Sequence, residues 1–259
     1  MSTPNPYAAP KAALEDASAG TPANFLPTGR KVASGRGWSW LAEGWDFFKQ
    51  QPGMWIAVVL VAAVIFIVLH FVPLLGSLAA MVLAPVFAGG IVIGCRAQRE
   101  GGQLQIEHLF AGFRGHLGSL VAVGLIYLAA IVVIALVVGL ATGAGMWTLF
   151  SAGADPVALG AAGLTILLAF LIMLALMLPV FMAIWFAPPL VVFHGQAAAE
   201  AMKNSFIACL KNMLPFLIYS LALFLLSIAA SVPFGLGWLV LGPMIAASLY
   251  TGYRDIFFE

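Results

Sequence analysis

Six long apolar stretches decide what this chain can fold into: about Met54–Val72, Ser77–Cys95, Leu117–Leu140, Ala161–Ala187, Met213–Ser231 and Leu236–Tyr253. A bilayer core of roughly 30 Å needs about 20 apolar residues in helical form, and each stretch comes within tolerance. Helix is the form that lets each stretch satisfy its own backbone in lipid. A membrane β-barrel would show alternation in segments of about ten residues, and runs such as "IAVVLVAAVIFIVL" show none. The chain is 63% hydrophobic and 8% charged, against about 25% charged in soluble domains. The reading is an all-α polytopic membrane protein.

Orientation follows from the eleven Lys and Arg residues. Lys11, Arg30, Lys31, Arg36 and Lys49 precede the first span, and Arg96, Arg99 and Arg114 lie between the second and third. Lys203 and Lys211 separate the fourth and fifth, and Arg254 follows the sixth. The other three connections carry no cation, and their only formal charge is Asp155. Cations concentrate on the cytoplasmic side of inner-membrane proteins, so both termini are predicted to be cytoplasmic. The net charge of +1 lacks the positive balance that a nucleic-acid partner requires.

The spans pair. "FFKQQPGMW", "GFRGHLGSL" and "CLKNMLPFL" each lead from an aromatic residue or Leu to Lys49, Arg114 or Lys211 and then open a span. The partner spans contain "LAPVFAG", "MLPVFMA" and "LGPMIAA", which place Pro85, Pro179 and Pro243 at corresponding positions. The outer turns "VPLLGS" and "VPFGLG" match as well. These parallels predict six transmembrane helices built as three tandem hairpins, with the three prolines as helix kinks. Proline removes an intrahelical hydrogen bond, which membrane helices tolerate when neighbours re-satisfy the carbonyl. Gly90 and Gly94 form a face of small residues, read as a site of close packing within the monomer.

A short amphipathic helix is expected before each hairpin. In "GWSWLAEGWDFFKQQPGMW", Trp38, Leu41, Trp45 and Phe48 recur at helical spacing with polar residues between them. Trp38, Trp45 and Trp55 are predicted interfacial anchors, because indoles favour the boundary between lipid and water. "IEHLFAGFRGH" and "AAAEAMKNSFIACLKN" repeat the theme. Residues 1–33, rich in Pro, Ala, Ser and Thr, read as a disordered cytoplasmic tail, leaving 34–259 as the membrane domain. Asp155-Pro156 suits a helix cap and first turn.

No Asp, Glu, Lys or Arg lies within a span, so proton-coupled transport loses its usual carriers. The deeper polar groups, Tyr127, Thr165, Tyr219, Ser220 and Ser227, are expected to bond to neighbouring helices. Glu107, His108, His116, His194, Glu200 and Asp255 sit on the cytoplasmic rim. Neither these nor Cys95 and Cys209 have metal-ligand or disulfide spacing, and the chain contains no GxSxG elbow or Walker loop. No catalytic residue, metal or cofactor is expected, and the chain is read as not an enzyme.

With "GRGWSWLAEGW" near its start and "SLYTGYRDIF" at its end, the sequence resembles an uncharacterised family of six-span bacterial inner-membrane proteins. The resemblance covers about Gly35 to Phe258 and rests on Trp38, Trp45, Arg96, Phe113, Tyr253, Arg254 and Asp255. It is more distantly similar to YciC-like proteins and to the membrane domain attached to some glycerophosphodiester phosphodiesterases. The resemblance implies location and fold and carries over no catalytic residue.

The leading expectation is a non-enzymatic membrane scaffold or lipid-interacting accessory protein. Its expected partners are membrane lipids, anionic ones included, and a membrane-protein partner. Lys49, Arg96, Arg114, Lys211 and Arg254 are the predicted contacts, forming a cationic ring at headgroup level. The alternative is a permease or channel for a neutral or apolar small solute.

Overall fold

The structure is a computed structural model and describes residues 24–151 and 155–259. Its helices are α1 (Arg36–Gln50), α2 (Pro52–His70), α3 (Leu75–Arg99), α4 (Ile106–Leu109), α5 (Leu117–Ser151), α6 (Pro156–Trp185), α7 (Ala187–His194), α8 (Ala198–Lys211), α9 (Met213–Ser231) and α10 (Trp238–Phe257), with a 3-10 turn at Ala111–Arg114. The fold is all-helical; among the described residues the β pairing is one isolated antiparallel bridge, Phe25 to Phe258.

Among the described residues five helical segments are long and apolar enough to cross a membrane: Pro52–His70, Leu75–Arg99, Leu117–Trp147, Pro156–His194 and Met213–Ser231. The sixth expected stretch does form a helix, α10, but not one of this kind. Its last two turns carry Tyr250, Thr251, Tyr253, Arg254 and Asp255, which dilute the apolar run, and most of that end is buried against protein. α2 and α5 are apolar on every face, as lipid-surrounded helices are, and expose residues such as Val64, Ile67, Leu125 and Leu136. α3 is the central helix, with Val86, Phe87, Val92 and Cys95 buried among its neighbours.

Local chemistry explains the boundaries. Pro52 opens α2, where a missing N–H costs nothing. The Asp155 carboxylate accepts the Val157 N–H at 3.1 Å and caps α6 at Pro156, as its sequence predicts. α6 breaks at Phe186, just before Pro188 and Pro189 remove two backbone donors. Ser205 of α8 repairs the break: its hydroxyl accepts the Phe186 N–H at 2.9 Å and donates to the Met182 carbonyl at 2.6 Å. α5 has 35 residues and α6 has 30. At about 1.5 Å per residue each is longer than the roughly 30 Å hydrocarbon core.

α2 packs on α3, α5 on α6, and α9 on α10. The turns closing the first and last of these pairs share an unusual backbone. Leu74 (φ 62°) and Phe234 (φ 53°), each just after the proline of its turn, both have the positive φ that side chains disfavour, although their turns close differently, by Leu75 N–H to the Pro73 carbonyl in one and Leu236 N–H to the Pro233 carbonyl in the other. Pro85, Pro179 and Pro243 all lie inside continuous helices, α3, α6 and α10.

Four expectations need correction. Residues 24–33 are not a loose tail. The Leu26 N–H bonds the Phe257 carbonyl at 2.9 Å and the Arg30 N–H bonds the Ile256 carbonyl at 2.8 Å, while the buried Asn212 side chain bonds Val32 N–H and the Arg30 carbonyl, each at 2.8 Å. The rest of the expected tail lies outside the described residues. Trp55 is not an interfacial anchor: it is 0% exposed, and its indole N–H bonds the Phe47 carbonyl at 3.1 Å and Gln98 Oε1 at 3.2 Å, tying α1, α2 and α3 together. Thr165 and Ser227 bond carbonyls of their own helices, Ala161 and Leu223, whereas Tyr219 does reach a neighbour, Ser248, at 2.7 Å. Finally, α1 packs along α9 and α10 rather than only resting on lipid. Gly90 and Gly94 do pack within the chain, against α4 and its approach, where an added Cβ would meet the backbone of Leu109 and the side chain of Leu104.

Candidate functional site

Three helices end together. The ends of α3, α7 and α10 enclose a pocket of about 430 Å³, lined by Arg96, Arg99, Glu100, Phe193, His194, Tyr250, Tyr253, Arg254 and Phe258. The helical spacing of Arg96 with Arg99, and of Tyr250 with Tyr253 and Arg254, turns these side chains to one side of their helices. The Arg96 guanidinium lies 5.4 Å from the Phe193 ring centre, and that of Arg254 lies 4.5 Å from Phe258. Both distances fit cation–π attraction. Arg96 Nε also donates to Glu100 at 2.8 Å. Arg254 Nε is buried and has no hydrogen-bond partner among the described residues, although a buried donor ordinarily has one. On the far wall His194 Nε2 and the Tyr253 hydroxyl are 2.6 Å apart, and the imidazole stacks on Phe25 with 3.4 Å between ring centres.

Asp255, next in sequence to Arg254, takes no part in the pocket. Its carboxylate, 11% exposed, accepts Arg36 Nε at 2.6 Å and Arg30 at 3.4 Å. The Trp40 indole N–H adds a third bond at 2.9 Å. Arg36 also pairs with Glu43 at 2.9 Å. Its bond to Asp255 is the main reason its guanidinium is held even more firmly protonated than usual. Asp255 is thereby saturated with cationic and indole donors, and Arg254 keeps an uncompensated charge.

Of the five cations expected to form a ring, Arg96 and Arg254 share this pocket, and Lys49, Arg114 and Lys211 do not line it. The structure brings Arg96 and Arg254 together and adds Arg99. Lys49 instead pairs with Asp46 at 2.8 Å and lies 5.8 Å from the Trp45 ring. Lys211 donates to the carbonyls of Thr28 and Gly29 at 3.1 and 3.0 Å, pinning the N-terminal segment. Arg114 is exposed on the 3-10 turn, away from the pocket. Trp38 and Trp45 lie on the surface at 55% and 39% exposure. Of the rim residues, His194 lines the pocket, Asp255 lies beside it on Arg36, Arg30 and Trp40, and His108 Nδ1 caps α4 by accepting the Gln105 N–H at 3.0 Å. Sequence reasoning missed Arg99, Tyr250 and Phe258; the helical spacing of the first two was a visible signal, whereas the turn that brings Phe258 over Arg254 was not.

A second cavity lies among α6, α8 and α9. It is about 540 Å³ and almost wholly apolar, with Leu178, Phe181, Trp185, Leu217 and Tyr219 among its lining and Ser220 as a polar edge. Cys209 of α8 closes one end, and burial pushes its thiol up to about 12.

The chain is 28% identical over 255 residues to a protein of Burkholderia thailandensis named as a probable inner membrane protein, a match covering 88% of this chain and 93% of that one. No family model and no solved structure matches the chain. The likeness and the five apolar helices together support a multi-pass protein of the bacterial inner membrane.

Proposed function

We propose that the protein is a non-enzymatic, lipid-interacting accessory protein of the inner membrane. In this reading α10 is the sixth span, the helices form three tandem hairpins, and both termini are cytoplasmic. The positive φ shared by Leu74 and Phe234, each just after the proline of its outer turn, supports the hairpin repeat, and the confinement of cations to alternate connections supports the orientation.

The observation that carries the functional reading is the convergence of Arg96, Arg99 and Arg254 at the ends of α3 and α10. Arginine stems lie along apolar surface while their heads reach the headgroup level. A basic residue there attracts an anionic leaflet by about 1 kcal/mol before screening. Purified protein should therefore retain anionic lipid. Replacing Arg96, Arg99 and Arg254 together by Gln lowers that retention with membrane insertion intact, whereas Arg114→Gln leaves it unchanged. Equal retention in wild type and triple variant counts against the proposal.

The apolar cavity favours a second reading, a permease or channel for a neutral or apolar solute, with the proline-bearing helices framing its path. Leu217→Trp would narrow that groove. Loss of solute flux in this variant, with lipid retention unchanged, would select the second reading over the first.

A further inference from the structure

We infer that the pocket between the ends of α3, α7 and α10 is a binding site for a phosphomonoester group, carried either by a lipid headgroup or by a soluble phosphate. The inference deepens the lipid-interacting reading and rests on it for the lipid case.

Charge comes first. Arg96, Arg99 and Arg254 face one carboxylate, Glu100, so the pocket holds two positive charges in excess when His194 is neutral. Asp255 would have removed half of that excess, but Arg36, Arg30 and Trp40 hold it elsewhere. A phosphomonoester carries about −1.5 to −2 charges at pH 7, which matches the excess. The single charge of a diester headgroup would leave one cation uncompensated.

Geometry points the same way. Guanidinium groups bind phosphate through two parallel N–H bonds in their own plane. Arg96 and Arg254 each lie over an aromatic ring, Phe193 and Phe258; Glu100 takes the Nε of Arg96, which leaves its terminal nitrogens, and the Nε of Arg254, for an in-plane acceptor. The buried, unpartnered Nε of Arg254 marks where an acceptor is missing. Leaving such a donor unsatisfied is costly, and a phosphate oxygen would remove the cost. The pocket volume of about 430 Å³ exceeds what one phosphate group fills and leaves room for the first atoms of a substituent against Tyr250 and Tyr253. One factor opposes an anion: the C-terminal ends of α3, α7 and α10 present negative dipole ends. Each dipole end is weaker than a single charge-assisted hydrogen bond, and three guanidiniums outweigh the three ends.

The test uses the full chain in neutral detergent and in nanodiscs. Equilibrium dialysis measures radiolabelled inorganic phosphate, and lipid extraction compares phosphatidate, phosphatidylglycerol and phosphatidylcholine. The expected result is binding of phosphate, or retention of phosphatidate over phosphatidylglycerol, that Arg254→Gln and Arg99→Gln each weaken at least tenfold and Arg114→Gln does not. Arg99 is exposed, so its variant carries the test if the Arg254 variant fails to fold. Phosphate binding that phosphatidate competes away identifies a lipid source; binding that phosphatidate leaves untouched identifies a soluble one, and either upholds the site. No phosphate binding together with equal retention of phosphatidate and phosphatidylglycerol overturns the inference, as does a preference indifferent to Arg99. Equal retention of all three lipids would sink the lipid-interacting reading itself, a different failure from loss of the monoester preference.

Discussion

Arg36 Nε and Asp255 Oδ2 stand 2.6 Å apart, and through this contact an N-terminal residue decides the electrostatics of a C-terminal pocket. Asp255 is also bonded by Trp40 and Arg30, so it joins α1 and the segment before it to the end of α10. Asp255→Asn keeps the shape and removes the charge. Hydrogen bonds to charged groups are worth about 1.5–3 kcal/mol, but Arg36 is 36% exposed and solvent screens its share. A loss of about 1–2 kcal/mol is therefore expected, seen as a lower melting temperature in detergent. Arg36→Gln should cost a similar amount, and the double variant less than the two added together. Full additivity would show that the pair does not act as a unit.

What was legible in the sequence was what lipid demands: long apolar helices, their caps and their cations. Pro52, Asp155 and Pro156 act through local backbone chemistry, so their roles were readable from neighbouring residues alone. The pocket was half legible. Arg96 and Arg254 were visible as rim cations, but nothing local distinguishes them from Lys49 and Lys211. Only packing shows that Lys211 is spent on the carbonyls of Thr28 and Gly29 and that Lys49 is spent on Asp46. Trp55 misled for the same reason. A tryptophan at the mouth of a span looks like an anchor until Gln98, 43 positions away, bonds its indole N–H.

Cys209 offers a readout of the α8 contact. Burial raises its thiol to about 12, above the ordinary value near 8.5, so in the folded protein it stays protonated through neutral and mildly basic pH. The nucleophile is the thiolate, and maleimide at pH 8 should label Cys209 only after denaturation. The sign of the linked stability follows. Between about 8.5 and 12 the unfolded chain has lost this proton and the folded chain keeps it. Stability from this group is full below that window and falls as pH rises through it. Rapid labelling of native protein in a Cys95→Ala background would contradict the burial of Cys209.

The proposed topology is tested by reporter fusions after Gly35, within residues 152–154 and after Glu259. The first and last should report cytoplasm and the middle one periplasm. A periplasmic C-terminus would remove α10 from the set of spans and leave the five apolar segments to cross alone.

The seating of α1 is decided by two glycines. A Cβ on Gly37 would collide with the backbone carbonyl of Pro215 in α9, and one on Gly44 would come within 2.6 Å of the Met244 carbonyl in α10. Both obstacles are backbone, which cannot rotate aside as a side chain does. Overpacking a well-filled interface costs about 1–3 kcal/mol, and Gly37→Val or Gly44→Val should reach the upper part of that range by lifting α1 from its neighbours. Gly35→Ala is the control, since nothing lies within 4 Å of its added Cβ. Lifting α1 also withdraws Trp40 and Arg36 from Asp255, leaves it with Arg30 alone at 3.4 Å, and so returns most of its negative charge to the neighbourhood of Arg254. The two valine variants should therefore melt earlier and also bind phosphate more weakly, although neither glycine lines the pocket. Earlier melting with unchanged phosphate binding would show that Asp255 stays in place without α1, and that the pocket's charge is set by α10 alone.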